Sequence, residues 1–214
     1  MDRLRDRVDA GERVARLLAP FLSPADDAVA LGLPRGGVPV AAVVADLLGL
    51  PLDVIVVRKL GAPADPEYGF GAIGEGGVRV LDAAAMEVLG ITGADVTAAE
   101  RDERAEMARR VATYREVRPR ERLAGRTAVI VDDGIATGGT ARAAALVARA
   151  MGATRVIVAA GVAAPESLAG LMRDGTADHA LAALIPDMLR SVGAWYEDFG
   201  QTPDAEVLRL LTAP

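Results

Sequence analysis

A pair of adjacent carboxylates, Asp132 and Asp133, stands between an apolar stretch and a run of small and hydroxyl-bearing residues. That run reads Gly134, Ile135, Ala136, Thr137, Gly138, Gly139 and Thr140. Backbone N–H groups in a glycine-rich turn that opens a helix form a cradle for anions. Carboxylates repel phosphate and suit vicinal hydroxyls, or a Mg²⁺ bound to them. The spacing therefore predicts a ligand with a phosphate at one end and a diol near the other, which describes a sugar phosphate.

Alternating strands and helices must position this segment. Apolar, β-branched stretches predict strands at 28–33, 52–57, 127–131, 155–160 and 177–184, with an edge strand at 78–81. Helical spacing and composition predict helices near 4–19, 38–48, 97–117, 141–151, 166–173 and from 204 onward. Core strands that are apolar throughout are typical of a parallel sheet covered on both faces. We expect an α/β fold with a mainly parallel sheet, whose ligands lie beyond the carboxyl ends of the strands.

Two more segments carry charge at predicted strand ends. Pro34, Arg35, Gly36 and Gly37 follow the first strand, and Arg58 with Lys59 follows the second. Lys59 is the only lysine in the chain. Taken alone, the first segment is also typical of an ordinary Pro-Gly turn, and a solvated side chain would equally explain a single lysine.

Together these residues resemble the type I phosphoribosyltransferases, whose signature is an apolar strand, two acids and small residues ending in Thr-Gly-Gly-Thr. The resemblance implies that the chain binds phosphoribosyl pyrophosphate (PRPP). Asp132 and Asp133 would hold the ribose hydroxyls, and residues 134–140 would surround the 5′-phosphate. Arg35, Gly36, Gly37, Arg58 and Lys59 would bind pyrophosphate, with a strained and sometimes cis peptide in the loop after the first strand. Asp132, Asp133, Lys59 and Arg35 would be the catalytic set.

The resemblance also implies the reaction and its cofactor. Pyrophosphate on C1′ of PRPP would be displaced by a nitrogenous acceptor, such as a nucleobase, with Mg²⁺ held near Asp132 and Asp133. Ala136 stands where many 6-oxopurine enzymes have an aspartate, so hypoxanthine and guanine are disfavoured, and Glu67-Tyr68-Gly69 echoes an adenine-enzyme motif. The whole chain is more similar to a bacterial group whose acceptor is unassigned. A homodimer is common in the family.

Composition excludes several other functions. There is no cysteine and a single histidine, His179, which lies in a predicted strand and is expected to be structural, so thiol chemistry and His-rich metal sites are excluded. A net charge of −6 disfavours nucleic-acid partners. No apolar run approaches the roughly 20 residues that span a bilayer, and no signal peptide is visible, so we expect a soluble cytoplasmic protein. Gly69-Phe70-Gly71-Ala72-Ile73-Gly74 matches a dinucleotide fingerprint, but neither a strand precedes it nor a helix follows it.

Two regions leave alternatives open. Trp195, Tyr196 and Phe199 cluster in a tail, 186–214, that we expect either to form a hood over the acceptor or to plug the core or contact a second subunit. The predicted helix at 97–117 is strongly charged, and its Glu-Arg pairs at i,i+4 indicate a solvated face. Alternatively its arginines 109, 110 and 115 belong to a lid over pyrophosphate.

We expect one domain, 1–214, that catalyses phosphoribosyl transfer. The alternative is a PRPP-binding regulator of the same fold that has lost transfer, although known regulators of this kind carry a DNA-binding head, for which residues 1–27 are too few.

Overall fold

The computed structural model describes residues 3–23, 26–64 and 68–212, apart from the side chain of residue 102. Its centre is a parallel five-stranded sheet of β1 (Ala28–Gly32), β2 (Leu52–Val54), β6 (Thr127–Ile135), β7 (Arg155–Ala163) and β8 (His179–Leu184). The strand order is β2-β1-β6-β7-β8. The α/β class with a mainly parallel sheet is confirmed. None of the helices in these ranges is long and apolar enough to cross a membrane.

Helices cover both faces of this sheet, as the continuous apolar strands require. Helices α1 (Arg7–Leu18) and α2 (Gly37–Leu48) pack on one face, where Val129 and Val131 of β6 contribute to the core. Helices α5 (Gly139–Ala150) and α6 (Pro165–Arg173) cover the other face with Ala128 and Ile130. Alternate residues of β6 therefore enter opposite cores, which is the period of two expected of a strand. The strand that carries the acid pair is therefore packed on both of its faces.

A second sheet is antiparallel and was not predicted as such. It contains β3 (Val57–Gly61), β4 (Gly69–Gly74) and β5 (Val78–Leu81) in that order, so β5 is an edge strand as predicted. The predicted strand 52–57 is wrong in extent, because β2 ends at Val54 and Val57 already belongs to the second sheet. The glycine-rich stretch that matches the dinucleotide fingerprint is β4 itself. Small side chains there allow close packing, since a Cβ on Gly74 would lie 2.4 Å from Val147 of α5.

Helices on the outer side of this second sheet form a third core. The charged helix α4 (Gly93–Arg115) places Met107 and Tyr114 in that core together with Val207 and Leu211 of α7 (Asp204–Leu211). A short helix, α3 (Ala83–Leu89), precedes α4 and was not predicted. We refer to β3–β5, α4 and α7 as the lobe.

The N-terminal segment before α1 and the segment around Trp195 meet beside the main sheet. The Leu4 N–H donates to the Trp195 carbonyl at 2.9 Å, and the Glu197 N–H donates to the Leu4 carbonyl at 2.8 Å. Tyr196 is buried against α1 in the same core as Leu4. The tail is therefore anchored to the N-terminal segment before α7 begins.

Candidate functional site

The predicted acid pair and the loop at 34–37 lie side by side because of strand register. Parallel pairing aligns Gly32 of β1 with Val131 of β6, so the residues after each position meet at the same edge of the sheet. Contact between them is close. A Cβ on Gly36 would lie 1.9 Å from Oδ2 of Asp133, and one on Gly37 would lie 2.5 Å from the Val131 carbonyl oxygen. Only residues without a side chain fit here, which explains both glycines. The Pro34–Arg35 peptide bond is cis.

Strand β6 continues through the acids, contrary to the expectation that it ends before them. Asp132 pairs in register with Ala160, and Gly134 with Val162, so the carboxylates are carried on a strand hydrogen-bonded to β7. The loop is consequently short and consists of residues 136–138. A pair of carboxylates on a strand is held more rigidly than one on a flexible loop, which suits a ligand site.

Asp133 is held at both its side chain and its backbone. Arg7 donates to Oδ2 of Asp133 from Nε at 3.0 Å and from Nη2 at 2.8 Å. The Tyr196 hydroxyl donates to the Asp133 carbonyl oxygen at 2.6 Å. Gly161 makes room for that hydroxyl, since a Cβ on Gly161 would lie 2.0 Å from it. The chain ends thus converge on this one aspartate.

Asp132 lies in a different electrostatic environment. Burial, and then the neighbouring Asp133 carboxylate, raises the pKa of the Asp132 carboxyl well above its ordinary value, while the positive charge of Arg7 acts to lower that pKa. Its Oδ1 accepts a hydrogen bond from the Asp133 N–H at 2.9 Å. Two adjacent acids that repel each other in this way bind a cation or hydroxyl donors favourably, because either reduces the repulsion.

The glycine-rich loop leads directly into α5. Gly138 is the N-cap residue of that helix and adopts φ 79°, a left-handed conformation that glycine tolerates best. Because glycine has no side chain, the N-cap residue leaves the first N–H groups of the helix available to an anion, and Thr137 and Thr140 are exposed beside them. The Ser167 hydroxyl of α6 donates to the Ala136 carbonyl at 2.6 Å and fastens the loop from outside. This arrangement can bind a phosphate.

The structure separates Arg58 from Lys59. Neighbouring residues of a strand point to opposite faces, and β3 carries both. Arg58 forms an ion pair with Glu103 of α4, so it belongs to the lobe and is not brought to the acid pair. Lys59 reaches α5 instead, and a Cβ on Gly139 would lie 3.0 Å from its Cδ and 3.5 Å from its Nζ. Of these two residues, only Lys59 is placed beside the predicted PRPP loop, and it lies at the glycine end of that loop.

Three cavities surround these elements. One of about 190 Å³ is enclosed by the loop and the start of α5 and includes Asp132, Thr137 and Thr140. A second, of about 390 Å³, lies between Arg35, Asp133 and the tail. The third, of about 530 Å³, lies on the far side of Gly138 and Gly139, with Lys59 and Arg142 in its lining. Asp132 lines the first cavity and Asp133 lines the second, so each of these two cavities borders one member of the acid pair.

The aromatic residues of the tail differ in their surroundings, so some fit a plug of the core and others fit a hood over the acceptor. Tyr196 is 1% exposed and its ring is enclosed by the core, which matches the plug and offers no face to a base. Trp195 is half-buried against the same core. Phe199 lies under the Arg7 guanidinium, 4.2 Å from it, and lines the cavity beside Asp133. A role in the hood thus remains for Phe199 and its neighbours Gly200, Gln201 and Thr202.

The charged helix has a solvated face and a buried end. Glu100 pairs with Arg104 at 3.0 Å, and Glu106 pairs with Arg110 at 2.7 Å, as the spacing predicts. Arg115 is different, because it is half-buried and binds Asp53 at 2.6 Å and Glu75 at 2.7 Å. An arginine fixed in this way cannot belong to a lid that opens and closes with this helix.

The structure also bears on His179, on the tripeptide at 67–69 and on possible metal ligands. His179 is half-buried on β8 and packs against Phe21 with ring centroids 4.7 Å apart, which agrees with a structural role. Glu67, in the echo of the adenine-enzyme motif, lies outside the described residues. Within the described ranges, no group of three or more His, Asp or Glu side chains is arranged to hold a metal ion.

Sequence reasoning missed two contributing residues, Arg7 and Ser167, and the contact that the Tyr196 hydroxyl makes. Arg7 is one of many arginines on an amphipathic helix, and nothing in its local pattern marks it. Ser167 and the hydroxyl of Tyr196 act through contacts that join segments 31 and 63 positions apart. Such contacts leave no periodic signal in a single sequence.

Comparison with known proteins gives a consistent result. A family model described as the phosphoribosyl transferase domain matches residues 71–170, which include the acid pair, the loop and α5. Two Mycobacterium tuberculosis proteins are 48% identical over 206 residues, among them "Putative phosphoribosyl transferase Rv0571c". The alignment covers 96% of this chain and 46% of the relative, so the chain spans about half the length of these curated relatives.

Solved structures extend the similarity to the whole fold. The crystal structure of TT1426 from Thermus thermophilus is 42% identical, covers 98% of each chain and superposes with a TM-score of 0.90. The AQ2163 protein from Aquifex aeolicus shares the fold at 13% identity, with a TM-score of 0.52 over 87% of this chain and 76% of that one.

Proposed function

The chain belongs to the phosphoribosyltransferase family and has the type I fold, and from that premise we propose that it transfers 5-phosphoribose from PRPP to a small nitrogenous acceptor. One observation carries the proposal. The loop at 34–37, the acid pair on β6 and the glycine-rich turn before α5 converge at the carboxyl edge of one sheet. The site then offers a phosphate cradle, a diol-binding pair and a second anion site. PRPP presents its 5′-phosphate, its ribose hydroxyls and its pyrophosphate in the same order.

In this proposal each element binds one part of PRPP. The N–H groups at the start of α5, with Thr137 and Thr140, hold the 5′-phosphate, and Lys59 adds positive charge beside Gly139. Asp132 and Asp133 accept hydrogen bonds from the ribose hydroxyls. Arg35 and the Gly36 N–H hold pyrophosphate and stabilise the charge that grows on it as it departs. Gly37, whose N–H donates to the Leu33 carbonyl at 3.0 Å, shapes the same loop.

The chemistry is a displacement at C1′. A nitrogen lone pair of the acceptor forms the new bond while the C1′–oxygen bond breaks and its electrons leave with pyrophosphate. The positive charge that develops on the sugar lies beside the acid pair, which stabilises it. Positioning by rigid elements supplies much of the rate enhancement, since neither a thiol nor an imidazole is needed.

The donor set fits Mg²⁺ carried by the substrate. Mg²⁺ is usually bound by one or two carboxylates together with substrate phosphates and waters. The two neighbouring carboxylates fit this coordination, since the described residues provide no third protein ligand. Asp132 and Asp133 would hold it. When bound, the ion would neutralise charge on the departing pyrophosphate.

We place the acceptor in the cavity of about 390 Å³ between Arg35, Asp133 and the tail. Phe199, Gln201 and Thr202 offer a ring edge, an amide and a hydroxyl to a flat, polar base. Ala136 adds no charge to the loop, which disfavours 6-oxopurines. A single domain over 1–214, a homodimer and a cytoplasmic location are further parts of the proposal.

The test is calorimetry with PRPP and Mg²⁺, followed by isotopic exchange between PRPP and pyrophosphate in the presence of a panel of nucleobases. We expect saturable binding, and exchange with at least one base. Binding without exchange across the panel would favour a PRPP-binding regulator. No heat at saturating PRPP would refute the proposal altogether.

A further inference from the structure

The N-terminal helix delivers one side chain to the acid pair. Arg7 is the first residue of α1, and the Asp6 side chain caps that helix by accepting from the N–H groups of Val8 and Asp9 at 2.8 Å each. The Arg7 side chain is only 15% exposed. Burying a guanidinium at the start of a helix, where the dipole is also positive, is unfavourable unless it has strong partners.

Those partners fix the guanidinium in three directions. Nε and Nη2 both donate to Oδ2 of Asp133, and Nη1 donates to the Gly200 carbonyl at 2.8 Å. The Phe199 ring covers one face of the guanidinium. Only an arginine can satisfy this set, because its planar fork presents several donors in fixed directions, whereas a lysine ammonium is a single point.

We propose that Arg7 is a positioning residue that fixes the Asp133 carboxylate for the ribose hydroxyls, with the tail at 199–200 holding Arg7 in turn. This inference rests on the proposed function. Both Arg7 contacts are made to Oδ2, so Oδ1 is the oxygen offered to the sugar. The two ends of the chain thereby form one unit that completes the sugar site.

The charges around the pair are consistent with this role. Asp132 and Asp133 are adjacent on β6, Arg7 approaches from α1, Arg35 from the loop after β1, and the Tyr196 hydroxyl from the tail. Arg7 opposes the rise in the pKa of Asp132 caused by burial and by Asp133.

The experiment compares Arg7→Gln and Arg7→Lys with the wild type, using calorimetric Kd values for PRPP with Mg²⁺ at neutral pH. Arg16→Gln is the matched control, because Arg16 lies on the same helix, pairs with Glu12 and is 70% exposed. Melting temperature and near-ultraviolet circular dichroism report folding separately.

We expect Arg7→Gln to raise the Kd roughly tenfold or more, as loss of charge-assisted hydrogen bonds implies. Arg7→Lys should recover part of the affinity, and Arg16→Gln should bind like the wild type. A folded Arg7→Gln with wild-type affinity would overturn the inference, as would an Arg7→Lys with wild-type affinity or a lower melting temperature alone. If the wild type itself does not bind PRPP, the proposed function fails first, which is a distinct result.

Discussion

Arginine–carboxylate pairs occur in two regions of the molecule with different surroundings. At the site, Arg7 holds Asp133, whose side chain is 14% exposed, next to the cavity of about 390 Å³ and to Gly36. In the lobe, Arg115 binds Asp53 and Glu75, which are 1% and 4% exposed. Asp133 is less completely buried than Asp53 and Glu75 and lies beside glycines that leave room for a ligand, which separates the ion pair that we propose to be functional from the one in the lobe.

The Arg115 cluster joins three elements of the fold. Arg115 closes α4, Asp53 lies on β2, and Glu75 begins the turn after β4, while Arg115 also donates to the Val54 carbonyl at 3.1 Å. Asp53 accepts a further hydrogen bond from the Glu121 N–H at 2.9 Å. The cluster therefore fastens the lobe to the edge of the main sheet.

Each region also buries a tyrosine hydroxyl. Tyr196 donates to the Asp133 backbone at the site, and Tyr114 donates to Asp204 of α7 at 3.0 Å in the lobe. Burial, helped by Asp204, raises the pKa of Tyr114 to about 12, and burial also raises the pKa of Tyr196. Matched substitutions in the two regions can thus separate effects on function from effects on stability.

The largest effect is expected at the acid pair. Asp132→Asn and Asp133→Asn should each lower PRPP-dependent pyrophosphate release by more than about a hundredfold, because the ribose and the charge on it lose their partner. Steady-state kinetics measure this, with Asp46→Asn on the exposed face of α2 as the control. Turnover that survives both substitutions would remove the distinction between the two regions.

The next largest effect falls on stability in the lobe. Arg115→Met should lower the free energy of unfolding by about 3–5 kcal/mol, because two buried carboxylates lose their counter-charge. Urea titration measures this, and PRPP affinity of the folded variant should be unchanged. Arg104→Gln, on the exposed face of the same helix, should cost less than about 0.5 kcal/mol. An equal cost for both variants would show that the cluster is not structural.

A smaller effect is expected at the glycine that abuts Asp133. Gly36→Ala places a methyl group where Oδ2 of Asp133 now lies, so the carboxylate must turn away. PRPP affinity should fall roughly tenfold, comparable to losing one charge-assisted hydrogen bond. Calorimetry measures it against Gly93→Ala, where an added Cβ meets nothing within 4 Å. Wild-type affinity in Gly36→Ala would mean that the loop does not define the site.

The smallest effects come from the two tyrosines. Tyr114→Phe and Tyr196→Phe should each cost about 1 kcal/mol of stability, but only Tyr196→Phe should weaken PRPP binding. The pKa of Tyr114 is higher in the folded state than its ordinary 10.0, so its stabilising effect is complete below pH 10 and is lost as pH rises towards 12. The stability difference between wild type and Tyr114→Phe should therefore shrink over that range in urea titrations. A constant difference would contradict the assignment.

Much of the fold was predictable because its signals are local. Apolar strands and the helix over 38–48, which ends at Gly49 with φ 65°, follow from residue type and spacing alone. The lobe was not predictable in this way. The stretch that follows Val57 is rich in glycine and is typical of a loop. Residues 57–61 and 69–74 nevertheless form strands, because β3, β4 and β5 pair with one another and pack on α5.

Residue type and local spacing predicted the family, the sheet and the candidate ligand groups at Asp132, Asp133 and the turn that follows. Each of these predictions uses signals carried by residues that are close together in the chain. Tertiary structure alone decided that Arg58 belongs to the lobe, that Lys59 reaches Gly139, and that Arg7 and Tyr196 converge on Asp133. The Arg7 contact joins residues 126 positions apart. Such a contact depends on how strands and chain ends pack in three dimensions, and short-range patterns contain no information about it.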